Sequence, residues 1–195
     1  MANATNKKLL AALRNGDFGE AFDAGKILMC QKSIPIGEVI DILHNAEGKH
    51  NRTEAAYTLS WMLGKNPRYY RILAVSALLE AFNNQSQFES VRAQTLEGFV
   101  LQEPKRETKL WLRVESAVLS ALSEESVEIR FWACYAAGNI RLKSALPKLR
   151  ELAEQDTRIY PGWWRVSEEA EDAIEWVHGR EGKERIPMPI ETDDN

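Results

Sequence analysis

A fourfold recurrence constrains this chain more than any other feature. The pairs Asn51-Arg52, Val91-Arg92, Ile129-Arg130 and Val166-Ser167 stand 40, 38 and 37 residues apart. Three residues after each second member come Ala55, Thr95, Ala133 and Ala170, and seven after it come Leu59, Phe99, Ala137 and Ile174. Spacings of three, four and seven share one face of a helix, so each unit carries a small side chain and then an apolar one along the same stripe. The small side chain lets a neighbouring helix approach closely, and the apolar one fills the contact. No single unit of this length buries both faces of its own helices, so its neighbours must supply the rest. The recurrence describes packing before it describes any chemistry.

Helical periodicity extends beyond the four units and predicts ten helices, near 4–15, 18–31, 36–46, 51–65, 69–83, 87–102, 107–122, 126–141, 144–155 and 166–179. Gly16, Pro35, Gly48, Pro67, Pro104 and Pro161-Gly162 fall between them, where helical backbone bonding must stop or restart. No alternating strand pattern competes. The expected fold is all-α: a right-handed α-solenoid of about five antiparallel helix pairs, forming one domain over residues 1–180. Residues 181–195 make an acidic tail, for which two states stay open. It is either a flexible end or a strap laid along the last repeat through Ile186, Met188 and Ile190.

The clearest unit is SVEIRFWACYAAGNIRLKSALPKLRELAEQ, residues 126–155. Ile129, Ala133, Ala136, Ala137 and Ile140 follow helical spacing, Gly138 and Asn139 lie near the close of the first helix, and Ala145, Leu146, Leu149 and Leu152 begin a second amphipathic segment. This unit resembles the HEAT-like repeats of the phycobilisome-lyase type in Ile129-Arg130, Ala133, Ala136, Gly138, Ile140 and Ala145-Leu146-Pro147 with Leu149. Arg52 with Ala55 and Arg92 with Leu96 are similar to the same pattern, whereas Ser167 replaces its arginine and Thr95 and Gly98 depart from it. The resemblance implies stacked helical hairpins and an extended binding surface. It carries no catalytic residue with it.

Charge narrows the partners. Residues 1–160 hold 21 Lys and Arg against 19 Asp and Glu, and residues 161–195 hold 4 against 10. A nucleic-acid binder normally carries excess cations to neutralise phosphates, and the near-neutral body lacks that excess. The longest stretches without Asp, Glu, Lys or Arg are ten residues, Ala55–Gly64 and Phe131–Ile140, too short to span a bilayer. With no evident cleavage region near the N-terminus, the expectation is a cytoplasmic protein. Cys30 and Cys134 suit small core positions in a reducing compartment.

The least repeat-like stretch is DTRIYPGWWRV, residues 156–166. It brings Arg158 and Arg165 together with Tyr160, Trp163 and Trp164, the composition of a binding hot spot. The competing explanation is a lid over the C-terminal core, with one tryptophan packed inward and the other partly exposed. On the next helix Glu168, Glu169, Glu171, Asp172 and Glu175 lie opposite Val166, Ala170, Ala173, Ile174 and Val177, and they suit either a solvated face or a patch that attracts a basic partner. Arg158, Tyr160, Trp163, Trp164, Arg165, Glu168, Glu169 and Asp172 are therefore the candidate partner-binding residues. Arg68, Tyr69, Tyr70 and Arg71 form a second aromatic and basic cluster at a helix start, while Trp61, Trp111, Trp132 and Trp176 read as core.

Signals of catalysis are weak. His44, His50 and His178 are scattered without metal-ligand spacing, and no phosphate-binding glycine loop or nucleophile elbow is present. The expected function is non-catalytic protein binding, without metal or cofactor. Within it stand a bacterial immunity or inhibitor protein that occludes a partner's surface, and an adaptor. Two alternatives rest on the repeat resemblance: a DNA-binding or DNA-repair protein similar to the alkylpurine glycosylases, and a bilin lyase-like subunit.

Overall fold

A computed structural model describes residues 2–31, 33–62, 68–102 and 104–187. It contains helices α1 (Ala2–Asn15), α2 (Phe18–Met29), α3 (Ile36–Asn45), α4 (Lys49–Trp61), α5 (Arg68–Asn83), α6 (Glu89–Gln102), α7 (Lys109–Ala121), α8 (Val127–Asn139), α9 (Leu146–Gln155) and α10 (Val166–Val177), with a 3-10 turn at Lys143–Ala145 leading into α9. Among the described residues the only β pairing is a single bridge between Ile159 and Arg165, so the all-α expectation holds. No helix there is long and apolar enough to cross a membrane. Residues 63–65 of the expected fourth helix, the breaker Pro67, and Met188 and Ile190 of the tail lie outside the described residues.

The ends of the helices follow from local chemistry. Gly16-Asp17-Phe18-Gly19 is the entry to α2, where Glu20 N donates to Asp17 Oδ1 at 2.9 Å and Asp17 N donates to Glu20 Oε2 at 3.1 Å, a reciprocal cap for two otherwise orphaned donors. Ser126 caps α8 by accepting from Ile129 N alone, since Ile129 has no polar side chain to return the bond. At the other end of α8, Leu142 N donates to Ala137 O and Arg141 N to Gly138 O, both at 2.9 Å, with Arg141 in the left-handed region at φ 52°. That is the Schellman arrangement.

By backbone proximity the chain falls into two compact units, Met1–Ala117 and Val118–Asn195. In the first, α4 packs against α2, α3 and α6, α1 packs against α2 and α3, and α5 packs against α3 and α6. Leu28, Ile42, Leu59, Leu78, Phe82 and Phe99 are among its buried side chains. Gly98, an exception to the repeat pattern, has a packing reason. A Cβ there would stand 2.5 Å from Ser60 Oγ on α4 and 2.6 Å from Leu78 Cδ1 on α5, so a larger residue would have to displace those side chains. In the second unit α10 packs against α8 and α9 around buried Ile129, Phe131, Ala133, Leu149, Ala170 and Ala173.

The recurrent arginine also gains a role. Arg52 Nε donates to Ala46 O just beyond α3, Arg92 Nε to Phe82 O in the last turn of α5 at 2.9 Å, and Arg130 Nη1 to Glu124 O beyond α7. Carbonyls at helix ends lack intrahelical partners, so each arginine ties the helix it sits on to the end of the one before. Ser167 has no side chain that reaches so far, and its backbone N–H instead donates to Asp156 O at 2.8 Å. Cys134 is buried as expected, but Cys30 is exposed. It caps the C-terminal end of α2, one position past the last turn and off the stripe of Ala21, Ala24 and Leu28 that faces inward.

Candidate functional site

Residues 156–166 form a tight hairpin between α9 and α10. Val166 N donates to Arg158 O at 3.0 Å, Tyr160 N to Trp164 O at 3.1 Å, and Trp163 N to Tyr160 O at 2.9 Å. Pro161 and Gly162 occupy the middle of the last of these turns, and Gly162 has φ 81°, the left-handed value that a type II turn requires at its third position. The turn sets Tyr160 and Trp163 with parallel rings, 6.5 Å between centroids and 8° between planes.

The base of the hairpin is held by a buried ion pair. Arg130 Nε donates to Asp156 Oδ2 at 2.7 Å and Arg158 Nε to Asp156 Oδ1 at 2.8 Å. Burial pushes the Asp156 carboxyl up, but the bonds from Arg158 and Arg130 outweigh it and hold the group below the usual carboxylate range.

The three aromatic side chains of the hairpin meet four more from the helices. Phe131, 1% exposed, is the hub, with ring centroids 5.2 Å from Tyr160 and 5.7 Å from both Trp163 and Trp164. Trp132 meets Trp163 at 5.6 Å and Tyr135 at 5.3 Å, and Tyr135 reaches Trp176 on α10 at 6.1 Å. All but Phe131 are half-buried, so the rings form a continuous patch that is supported from below and open above. Polar tips are anchored too: Tyr160 Oη donates to Glu128 Oε1 at 3.1 Å, and Trp164 Nε1 to Glu169 Oε2 at 2.8 Å. Burial, with Glu128 adding to it, pushes the Tyr160 phenol up to about 12, so it stays a donor at neutral pH.

Of the eight residues proposed from sequence, Arg158 and Arg165 are exposed, and Tyr160, Trp163, Trp164 and Glu168 are half-buried. Both tryptophans share that intermediate exposure, rather than dividing into one inward and one outward. Glu169 and Asp172 are 1% and 2% exposed and leave the solvated face expected for them. Burial pushes the Glu169 carboxyl up to about 7. With so little surface it supports Trp164 rather than meeting a solute. Asp172 receives Lys183 N at 2.9 Å and Arg185 Nε, and Arg185 Nη1 also reaches Glu168 Oε1 at 3.1 Å. The segment after α10 therefore lies along this helix through Arg185, while Ile186 is 87% exposed.

Phe131, Trp132, Tyr135 and Trp176 sit at ordinary helical positions and carry no local sign of function in the sequence. Phe131 and Trp132 on α8 touch the hairpin rings directly, and Tyr135 links Trp132 to Trp176 on α10. Trp111 is buried as expected, whereas Trp61, Trp132 and Trp176 are half-buried. In the first unit Phe18, Phe22, Tyr57 and Trp61 make a smaller row with neighbouring centroids 5.8 to 6.5 Å apart. Among the described residues no three His, Cys, Asp or Glu side chains gather as a metal site. No protein-family model matches this chain, and no curated protein matches it in sequence.

Proposed function

We propose that this chain is a non-catalytic protein-binding module of the HEAT-like α-solenoid type, which acts by covering a surface of its partner as an inhibitor or an adaptor. The contact face is the aromatic patch of Trp132, Tyr135, Tyr160, Trp163 and Trp176, flanked by Arg158 and Arg165. The observation that carries this reading is the buried Phe131 in contact with the half-buried rings of Trp132, Tyr160, Trp163 and Trp164, a row that Tyr135 and Trp176 extend, because preorganised aromatic side chains lose little conformational freedom on binding and dominate interface hot spots. Two rows of helices in the first unit support the solenoid: α2, α4 and α6 each meet the next, and so do α1, α3 and α5. Glu169 and Asp172 serve the face from inside, as supports of Trp164 and of the strap, and a basic partner surface is not what the patch itself selects.

The test is site-specific photo-crosslinking in the native host, with a benzoyl-phenylalanine placed at Tyr135 or Trp163 and, as a control, at Leu112, which is 59% exposed. One polypeptide captured at the two patch positions and absent at Leu112 is the expected result. Equal capture at all three, or none at the patch, rejects the face. Loss of that partner in Trp163→Ala with helicity retained completes the assignment.

A further inference from the structure

The row of rings on α2 and α4 in the first unit has a chemistry of its own. Tyr57 and Trp61, one turn apart on α4, have ring centroids 5.8 Å apart and planes tilted by 38°, and Phe22 on α2 stands 6.5 Å from Tyr57. All three rings are half-buried. A cation is attracted to an aromatic face from within about 6 Å of the ring centroid, so neighbours this close can share a single cation. The row already makes one such contact, with Lys26 Nζ over the Phe22 ring at 4.9 Å. Tyr57 and Trp61 have no cation over them among the described residues.

Negative charge is an independent feature of the same place. Trp61 Nε1 donates to Glu97 Oε2 on α6 at 3.3 Å, and Gln94 Nε2 donates to the same oxygen. Both donors are neutral, and Glu97 forms no ion pair among the described residues. A half-buried carboxylate is thereby fixed at the edge of the indole with its charge uncompensated. Glu54, three residues before Tyr57 on α4, is 8% exposed and also forms no ion pair among the described residues. Both charges act on Tyr57: burial first, then Glu97 and Glu54, push its phenol up. Carboxylates fixed beside ring faces select a cation over a neutral apolar guest. A bare ammonium holds its water tightly, whereas a methylated one is weakly hydrated and presents carbon to the rings.

We propose that Tyr57 and Trp61 bind the trimethylammonium head of a small organic cation, with Glu97 as its counter-charge. The methyl groups lie against the two rings, and Glu54 adds attraction at a distance through its charge. Lys26 keeps to the Phe22 end of the row. The site lies in the first unit and does not depend on the protein-binding reading.

NMR titration of the full chain with choline, with ethanolamine, and with the neutral isostere of choline in which carbon replaces the ammonium nitrogen tests it. Choline is expected to bind in the millimolar range and to shift the Trp61 indole N–H and the Glu97 amide. Ethanolamine, which lacks the methyl groups, is expected to bind at least about fivefold more weakly, and the neutral isostere not measurably. Glu97→Gln keeps an acceptor for Trp61 Nε1 and Gln94 Nε2, so the fold is retained, and it weakens choline at least about fivefold. Trp61→Leu gives a second, independent loss. Absence of choline binding at millimolar concentration, equal binding of ethanolamine or of the neutral isostere, or affinity unchanged in both variants overturns the proposal. Shifts that cluster at Trp132, Trp163 and Trp176 instead also overturn it.

Discussion

Arg130 and Asp156 form an ion pair at 2.7 Å in which each side chain is only 4% exposed, and it joins the first turn of α8 to the root of the aromatic hairpin. The same aspartate receives Arg158, and the same arginine holds Glu124 O, so one pair ties together the ends of α7 and α9 and the start of α8. A buried pair of this kind is a weak net contributor when compared with apolar residues of the same shape, but halving it strands a charge.

Asp156→Ala is therefore expected to destabilise the protein by about 3–5 kcal/mol, and the double change Arg130→Met/Asp156→Leu by less than that single change. Urea unfolding monitored by circular dichroism measures both. A single variant that loses under about 1 kcal/mol would show that water already screens the pair.

Glu169 gives the fold a pH signature of opposite sign from Asp156. Its carboxyl is pushed up to about 7 from an ordinary value of 4.5, so between those values the folded chain holds a proton that the unfolded chain has released. Stability then falls as pH rises from 4.5 through 7 and levels off above, where the buried carboxylate is ionised. Glu169→Gln keeps an acceptor for Trp164 Nε1 and cannot ionise. Its unfolding free energy is expected to exceed that of the parent by roughly 1–3 kcal/mol at pH 8 and to converge with it near pH 5. A constant difference across that range would contradict ionisation of Glu169 as the cause.

The arginines of the recurrence show how much of the packing its spacing made legible. Spacing alone placed Arg52, Arg92 and Arg130 at equivalent points, and all three bond a backbone carbonyl, at the end of α3, in the last turn of α5 and in the loop after α7. The ten helices were legible because Pro and Gly punctuate a strong helical period. The acidic run departs from a solvated face for a geometric reason. At 100° per residue Glu169 borders the stripe of Val166, Ala170, Ala173 and Val177 and Asp172 lies further round, where Lys183 and Arg185 cover it, so counting carboxylates concealed that two of them are buried. The aromatic patch was half legible. Tyr160, Trp163 and Trp164 stood out by adjacency, but Phe131, Trp132, Tyr135 and Trp176 join them only through tertiary packing. Arg185 carried no local signal, since its carboxylates lie 13 to 17 residues earlier in the chain.

That distant arginine has a measurable part in stability. Its side chain is 10% exposed and bridges Asp172, which is 3% exposed, to Glu168 and Glu171. Arg185→Met retains the aliphatic stem but removes the charge, and the expected loss is about 2–4 kcal/mol because Asp172 stays buried with one backbone donor. Hydrogen exchange at Lys183 N reports the same event locally. Protection there that survives Arg185→Met would mean the strap is held by something other than this guanidinium.

Two glycines in helices allow the close-packing argument to be tested against intrinsic helix preference. Replacing a helical glycine with alanine gains about 0.5–1 kcal/mol where space permits. At Gly37 in α3 a new Cβ meets nothing within 4 Å, so Gly37→Ala is expected to stabilise the protein within that range. At Gly138 in α8 the Cβ would stand 2.7 Å from Ala173 Cα and 2.6 Å from Trp176 Cε3. The first of those atoms is backbone and yields only if α8 and α10 move apart, an overpacking cost of about 1–3 kcal/mol that exceeds the helical gain. Gly138→Ala is thus expected to lower stability, and because Trp176 belongs to the aromatic patch, to alter tryptophan fluorescence in the folded state as well. Equal stabilisation by both substitutions would mean that the two helices do not approach closely enough to require glycine.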